Sequence, residues 1–177
     1  MFGVSGTDQN LSCYKDFRSL GNICMSEADH TDHVMRILIV EDELLIALNT
    51  QADLEAAGHT VTGIAMTSRE AFRLAESSRP DLVLMDVRLA AGNGVEAAQA
   101  IHAHWGISSL FATSYGEKPA SAGNAAIGCL RKPYDQKSLV QSIQIVERVM
   151  NGLEPILPLP RNLELYQREV IITGPLT

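Results

Sequence analysis

Short apolar runs alternate with helix-like stretches along most of this chain, and this alternation restricts its fold more than any other sequence feature. The five apolar runs span residues 37–40, 59–65, 82–85, 107–112 and 127–131. Apolar runs separated by helical stretches are typical of βα units, which place consecutive strands parallel in one sheet. Residues 36–151 therefore predict an α/β domain of five βα units around a five-stranded parallel sheet.

The apolar positions also indicate which surfaces are buried. Residues 82–85 are apolar at every position, which predicts a central strand that is covered on both faces of the sheet. Residues 44–57 predict the first helix, and Leu45, Leu48 and Ala52 share one side of it. We expect that side to face the core.

Three local signals mark the later helices. Thr67 and Glu70 fit a capping box at the start of the second helix, and Asn93 fits the N-cap of the third. Residues 114–126 contain two glycines and a proline, so the fourth helix should be short or marginal on propensity alone. We interpret this segment as the candidate moving part of the domain.

The chain divides into three parts. Residues 1–34 show no sustained helix or strand period and predict a poorly ordered N-terminal extension. Residues 35–152 contain the βα pattern, and residues 153–177 form a proline-containing tail that is too short for a second packed domain. We therefore expect a single folded domain.

Composition excludes several classes of protein. The formal net charge of −7 argues against a surface for nucleic acid or anionic membrane, which would need clustered Lys and Arg. The 3 cysteines have no Cys-x-x-Cys spacing, so neither a disulfide framework nor a zinc site is indicated. There is no signal peptide pattern and no apolar run of membrane length. These features predict a cytoplasmic protein.

Polar residues follow four of the apolar runs. The acids Glu41, Asp42 and Asp86 follow the first and third runs. Thr113 follows the fourth run, and Lys132 follows the fifth. Because the carboxyl ends of strands in an open parallel sheet converge on one crevice, we expect these side chains to meet there.

Such a cluster predicts a particular chemistry. Three carboxylates in contact repel by about 4 kcal/mol per pair at an effective dielectric near 20, which calls for a compensating cation. Oxygen ligands with open positions for water and phosphate suit Mg²⁺. The Asp86 carboxylate could then attack a phosphoryl donor, with Lys132 and the Thr113 hydroxyl binding phosphoryl oxygens. Pro133 is interpreted as a cis-proline turn that fixes the direction of the lysine.

In their order and spacing these residues resemble the receiver domain of two-component response regulators, over residues 36–151. The resemblance implies a flavodoxin-like, doubly wound fold and phosphorylation of Asp86 by a sensor histidine kinase or phosphotransfer protein. It implies that Asp42 binds Mg²⁺ directly and that Glu41 acts through water. The backbone carbonyl of Arg88 would be a further ligand.

Part of the chain is similar to one subgroup of receivers. Residues 111–116, Phe-Ala-Thr-Ser-Tyr-Gly, resemble the FAT GUY subgroup. That subgroup is described by the absence of an aromatic on the fifth strand, where this chain has Cys129. Ala90 stands where most receivers have proline. With Cys129 in place of a movable ring, we expect the signal to come from residues 114–126.

Rival functions fit the sequence less well. A phosphohydrolase with an Asp nucleophile usually has a second acid two residues on, where this chain has Arg88. A nucleotide binder would need a phosphate-cradling loop after the first strand, where Glu41 and Asp42 would repel phosphate. A DNA-binding regulator would need an output domain, which the sequence does not show. The remaining alternative is a receiver-like adaptor that works without phosphorylation.

Each site residue has a plainer interpretation when it is taken alone, since an Asp at a strand end is usually a turn or cap residue. The joint occurrence of acids, Thr and Lys favours a phosphoacceptor response regulator that uses Mg²⁺. We expect it to signal by contact with an unknown downstream protein, and not to be an enzyme apart from catalysing its own phosphorylation and dephosphorylation. Neither nucleic acid nor membrane is expected as a partner.

Overall fold

The computed structural model describes residues 34–114 and 119–166. The predicted N-terminal extension lies outside the described residues except for Val34. Within the described residues, no helix combines the length and the apolar character that a membrane crossing requires.

The described residues form six strands and four α-helices in the predicted alternation. The strands are β1 (Arg36–Val40), β2 (Thr60–Ala65), β3 (Leu82–Asp86), β4 (Ser108–Thr113), β5 (Ala126–Arg131) and β6 (Leu163–Leu165). The helices are α1 (Leu44–Ala56), α2 (Ser68–Ser78), α3 (Gly94–Trp105) and α4 (Gln136–Met150), with a 3-10 helix at Pro119–Ala125. The predicted ends of the first five strands lie within one residue of the observed ends.

The strands form one sheet in the order β2-β1-β3-β4-β5-β6. The first five strands are parallel, so the predicted α/β, doubly wound fold is confirmed. The prediction of only five strands was wrong, because β6 pairs with β5 in antiparallel orientation. β6 lies beyond residue 152, where we expected the domain to end, and its three residues are too few to show a period in the sequence.

Apolar side chains fill both sides of the sheet. On β1, Ile37 and Ile39 belong to one buried cluster, and Leu38 and Val40 belong to the other. This division follows from the alternation of side chains along a strand. Residues 82–85 of β3 are all buried, as their uniform apolar character predicted.

The buried side of α1 is not the predicted one. Leu45 is 77% exposed and Leu48 is 46% exposed, and Ala52 is exposed as well. The buried residues of this helix are Ala47, Thr50 and Leu54. The prediction failed because α1 carries apolar residues on both sides, so that periodicity alone does not select the side that packs.

Both predicted helix caps are confirmed. The Thr67 side chain accepts a hydrogen bond from the Glu70 N–H, and the Asn93 side chain accepts one from the Val95 N–H. The Glu70 carboxylate accepts from the Met66 N–H, one residue before the cap. These bonds satisfy N–H groups that the first turn of a helix leaves without partners.

The segment that was predicted to be a marginal helix is a 3-10 helix in its described part. Pro119–Ala125 is interrupted at Gly123, whose φ of 60° lies in the region that favours glycine. Residues 115–118 of the predicted moving part lie outside the described residues. Its mobility stays a prediction.

We predict that His59 makes the protein less stable in mild acid. The side chain is 9% exposed, and neither ring nitrogen has a hydrogen-bond partner among the described residues. Burial lowers the pKa of His59 from its ordinary value of 6.5. The unfolded chain therefore takes up a proton first, and the free energy of unfolding should fall as the pH drops below about 6.5.

Urea unfolding of the wild type and of His59→Leu between pH 7.5 and pH 5.5 would check this. The variant should lose part of the pH dependence, because it removes the titrating ring. An equal pH dependence in both proteins would contradict the prediction.

Candidate functional site

The carboxyl ends of three strands bring a lysine and two acids into contact. Lys132, directly after β5, has its Nζ 2.6 Å from Oε2 of Glu41, which follows β1. The same Nζ lies 2.6 Å from Oδ2 of Asp86, the last residue of β3. The sheet order explains the contact, because β1 and β3 are neighbours and β5 is separated from β3 only by β4.

The ion pairs keep the lysine charged in a partly buried place. Burial alone would lower the pKa of Lys132, but its hydrogen bonds with Asp86 and Glu41 outweigh burial and raise the pKa well above its usual range. Glu41 is 4% exposed, and burial raises the pKa of this carboxyl against the lowering effect of Lys132. The pair with Lys132 is therefore what favours the ionised form of Glu41.

The acids have more charge than one lysine can balance. Glu41, Asp42 and Asp86 each offer a carboxylate oxygen, and these oxygens lie within 4.8 Å of one another. Within the part of the chain that the structure describes, the buried Oε1 of Glu41 has no hydrogen-bond partner. A buried carboxylate oxygen without a donor, beside two further carboxylates, fits a hard divalent cation.

Two of the acids also hold the loop between β3 and α3. The Arg88 N–H donates to Oδ1 of Asp86 at 3.0 Å, and the Ala90 N–H donates to Oδ2 of Asp42 at 2.7 Å. Arg88 thus lies next to the acidic cluster, and the role of its carbonyl as a metal ligand stays a prediction. The loop closes with the Gly94 N–H donating to the Val87 carbonyl at 3.0 Å.

Gly94 contributes to the site through its lack of a side chain. A Cβ at this position would clash with the backbone carbonyl oxygen of Asp86. Glycine therefore allows the start of α3 to approach the end of β3 closely. This role was not predicted from the sequence, where its signal is a glycine directly after the N-cap Asn93.

Thr113 lies at the end of β4, next to the lysine. It is fully buried, and its backbone carbonyl accepts a hydrogen bond from the Lys132 N–H at 2.8 Å. The Thr113 hydroxyl donates to the Ser114 carbonyl at 3.4 Å, a long contact. The structure thus brings Thr113 to the site, and the predicted bond from its hydroxyl to a phosphoryl oxygen stays a prediction.

Residues that the sequence analysis missed hold the turn after β5. The Lys132–Pro133 peptide bond is cis, as predicted. The next residue, Tyr134, is partly buried against the core, and burial raises the pKa of Tyr134. Asn162 Nδ2 donates to the Pro133 carbonyl at 2.7 Å. These partners are far apart in the chain and follow no period, so no sequence signal pointed to them.

Comparison with known proteins places the site within a described family. The model of the "Response regulator receiver domain" matches residues 37–144. The chain is 42% identical over 89 residues to the phyllosphere-induced regulator PhyR of Methylorubrum extorquens, which covers 49% of this chain and 33% of that protein. It is 33% identical over 115 residues to the transcriptional regulatory protein PdtaR of Mycobacterium tuberculosis, covering 62% of this chain and 55% of that protein.

A solved structure of a receiver domain is also similar to this chain. The signal receiver domain of a modulated diguanylate cyclase from Desulfovibrio desulfuricans G20 matches with a TM-score of 0.61 and 31% identity, over 68% of this chain and 98% of that one. The chain spans about a third of the length of PhyR and about half of PdtaR. The acids, Thr113 and Lys132 lie inside the matched residues, whereas Asn162 and β6 lie outside them.

We predict that Asp42→Asn weakens divalent cation binding on the order of a hundredfold, because it removes one of three clustered carboxylate charges. Asn keeps an oxygen that can accept from the Ala90 N–H, so the loop should stay in place. Calorimetric titration with Mg²⁺ would measure the change. Glu154→Gln, which removes an exposed carboxylate outside the cluster, is the matched control. Equal affinities in the two variants would exclude Asp42 as a ligand.

Proposed function

Because the chain belongs to the family of response regulator receiver domains, we propose that it accepts a phosphoryl group on Asp86 within a two-component phosphorelay. The observation that carries the proposal is the Nζ of Lys132, which lies 2.6 Å from Asp86 and 2.6 Å from Glu41 beside a third carboxylate. Receiver domains are signalling domains rather than classical enzymes. The expected output is contact with a downstream protein.

The acidic cluster is the proposed site of Mg²⁺. Glu41, Asp42 and Asp86 would hold the ion, with the backbone carbonyl of Arg88 as a further ligand. When bound, Mg²⁺ would neutralise the carboxylates and the oxygens of the incoming phosphoryl group. Oxygen-only ligands favour magnesium over metals that prefer nitrogen or sulfur ligands. The small number of protein ligands also suits magnesium, which keeps several water molecules when it binds.

The transfer step follows from the groups around Asp86. A carboxylate oxygen of Asp86 attacks the phosphorus, and the bond from phosphorus to the donor breaks, with its electron pair leaving on the donor. Lys132 already contacts Asp86 and carries a positive charge, so it can bind an oxygen of the transferred group while Glu41 keeps its other contact. The Thr113 hydroxyl would donate to another phosphoryl oxygen.

The phosphoryl donor is proposed to be a sensor histidine kinase or a phosphotransfer protein. Helix α1 begins two residues after Asp42. Its first half exposes three leucines, which are Leu44 (50% exposed), Leu45 (77%) and Leu48 (46%). Exposed leucines beside a charged site form an apolar surface that a partner can cover while it presents its phosphoryl group. We call these three residues the α1 leucine surface.

We predict that Asp86→Asn abolishes phosphorylation by a small phosphodonor with Mg²⁺ and leaves the protein folded, because Asn matches Asp in shape and lacks the nucleophilic charge. Mass spectrometry would measure the added phosphate, and treatment with hydroxylamine would test for the acyl phosphate. Asp53→Asn on α1 is the control. Labelling of the Asp86 variant at the wild-type rate would rule out this acceptor. A wild type that takes no phosphate yet binds a partner would favour the adaptor alternative.

A second prediction concerns the α1 leucine surface. Leu45→Arg should slow phosphotransfer from a histidine kinase that labels the wild type by about tenfold or more, through the loss of one buried apolar contact at an interface. Phosphorylation by a small phosphodonor should stay unchanged, because Leu45 is not part of the acidic cluster. Leu157→Arg, at a residue that is 73% exposed in the segment after α4, is the control. Equal losses with both phosphodonors would contradict a docking role.

A further inference from the structure

Asn162 contacts the residues on both sides of Lys132. Its backbone carbonyl accepts a hydrogen bond from the Arg131 N–H at 2.8 Å. Its side-chain Nδ2 donates to the Pro133 carbonyl at 2.7 Å. The site lysine is therefore bracketed by two hydrogen bonds to one residue, which lies 29 positions beyond Pro133 and outside the part of the chain that matches the receiver family.

The strand after Asn162 fixes this residue against β5. Leu163 of β6 pairs with Leu130 and is 7% exposed, so it is anchored in the core. Arg131 and Glu164 form an ion pair at 2.9 Å. Beyond the strand, the Tyr166 N–H donates to the Ile127 carbonyl at 3.0 Å. Asn162 thus directly precedes a strand that these contacts hold against β5.

A glycine on β5 makes the approach of this segment possible. A Cβ at Gly128 would lie 2.5 Å from the Glu164 carbonyl oxygen and 3.3 Å from the Leu165 Cα. Any side chain there would push the backbone of β6 away from β5. The three atoms nearest to such a Cβ all belong to Glu164 and Leu165, so the glycine at this position of β5 suits the close approach of β6.

The lysine backbone is held from two directions. On the inner side the Lys132 N–H donates to the Thr113 carbonyl at 2.8 Å, and this bond belongs to the matched domain. On the outer side Asn162 holds the flanking peptide groups. Pro133 has no N–H and offers only its carbonyl, so the bond from Asn162 is a direct restraint on the turn that follows the lysine.

We infer that Asn162 is a positioning residue for Lys132, and that the segment 162–166 is part of the phosphorylation site. The inference rests on the proposed function of Asp86. Asn162 fixes the peptide groups before and after the lysine, so that Nζ meets Asp86 and Glu41 together. Because a misplacement of about 1 Å can change a rate on the order of a hundredfold, a restraint on this turn bears directly on phosphoryl transfer.

The first experiment compares Asn162→Ala with Asn151→Ala, which removes an exposed amide at the end of α4. Phosphorylation by a small phosphodonor is followed over a range of donor concentrations. The maximal rate of Asn162→Ala should fall on the order of tenfold, while the half-saturating donor concentration and the Mg²⁺ affinity stay near wild type. A merely structural role would lower the Mg²⁺ affinity, the thermal midpoint and the rate together in this variant.

A second readout follows the lysine without any phosphorylation. The chain has only four lysines, so the side-chain ε-methylene signals can be resolved by NMR, and Lys132→Arg assigns the signal of interest. In the wild type, contact with two carboxylates should separate the Lys132 signal from the other lysines. In Asn162→Ala this signal should move toward them and sharpen, while Asn151→Ala leaves it unchanged.

A second pair of variants displaces the whole segment and leaves Asn162 intact. Gly128→Ala should push β6 away and reproduce the slower transfer and the altered lysine signal. Gly63→Ala on β2 is the matched control, because the atoms nearest to its added Cβ are the ends of the Leu74 and Leu38 side chains and not backbone atoms. This pair keeps the inference testable if Asn162→Ala folds poorly.

The outcomes separate the inference from the proposed function. If wild type takes no phosphate on Asp86, the proposed function fails, and the lysine signal alone decides whether Asn162 positions Lys132. If wild type is labelled and Asn162→Ala matches Asn151→Ala in rate and in the lysine signal, the inference is overturned and the proposed function stands. A changed lysine signal with an unchanged rate would also overturn it.

Discussion

The contact of one ammonium group with two carboxylates is the interaction on which the site depends. Lys132 lies between Asp86 and Glu41 in a partly buried place, and each acid would repel the others without it. Breaking a buried pair by removing one partner is costly, because it leaves a charge uncompensated. The strand order brings the three residues together, and the hydrogen bonds around the turn after β5 decide how closely the lysine meets its partners.

The fold was predictable because its signals are local and repeated. Apolar runs predicted the first five strands to within one residue, and the polar residues that follow them predicted which side chains meet. The prediction of the buried side of α1 was wrong because that helix is apolar on both sides. Leu45 is exposed to solvent, whereas Ala47 packs in the core. β6 has only three residues, which is too short to show a strand period in the sequence. Asn162 is bonded to residues about thirty positions away, so no local sequence pattern predicts its role.

Close approach of backbones matters as much as charge in this structure. The start of α3 meets the Asp86 carbonyl at Gly94, and β6 meets β5 at Gly128. In both places a side chain would separate two elements whose contact sets the position of a site residue. A search for charged or nucleophilic side chains overlooks such positions, although they limit substitution around the site as strictly as the acids do.

The strand β6 also has a consequence for how copies of this chain behave toward one another. A parallel sheet that ended at β5 would offer a six-residue strand with a row of unsatisfied backbone groups, which is a template for pairing with another molecule. β6 covers part of that strand and replaces it with an edge of three residues that carries Glu164 at its centre. Short, charged edges resist edge-to-edge association. The strand that follows Asn162 therefore gives this side of the sheet an edge that disfavours pairing with another copy of the chain.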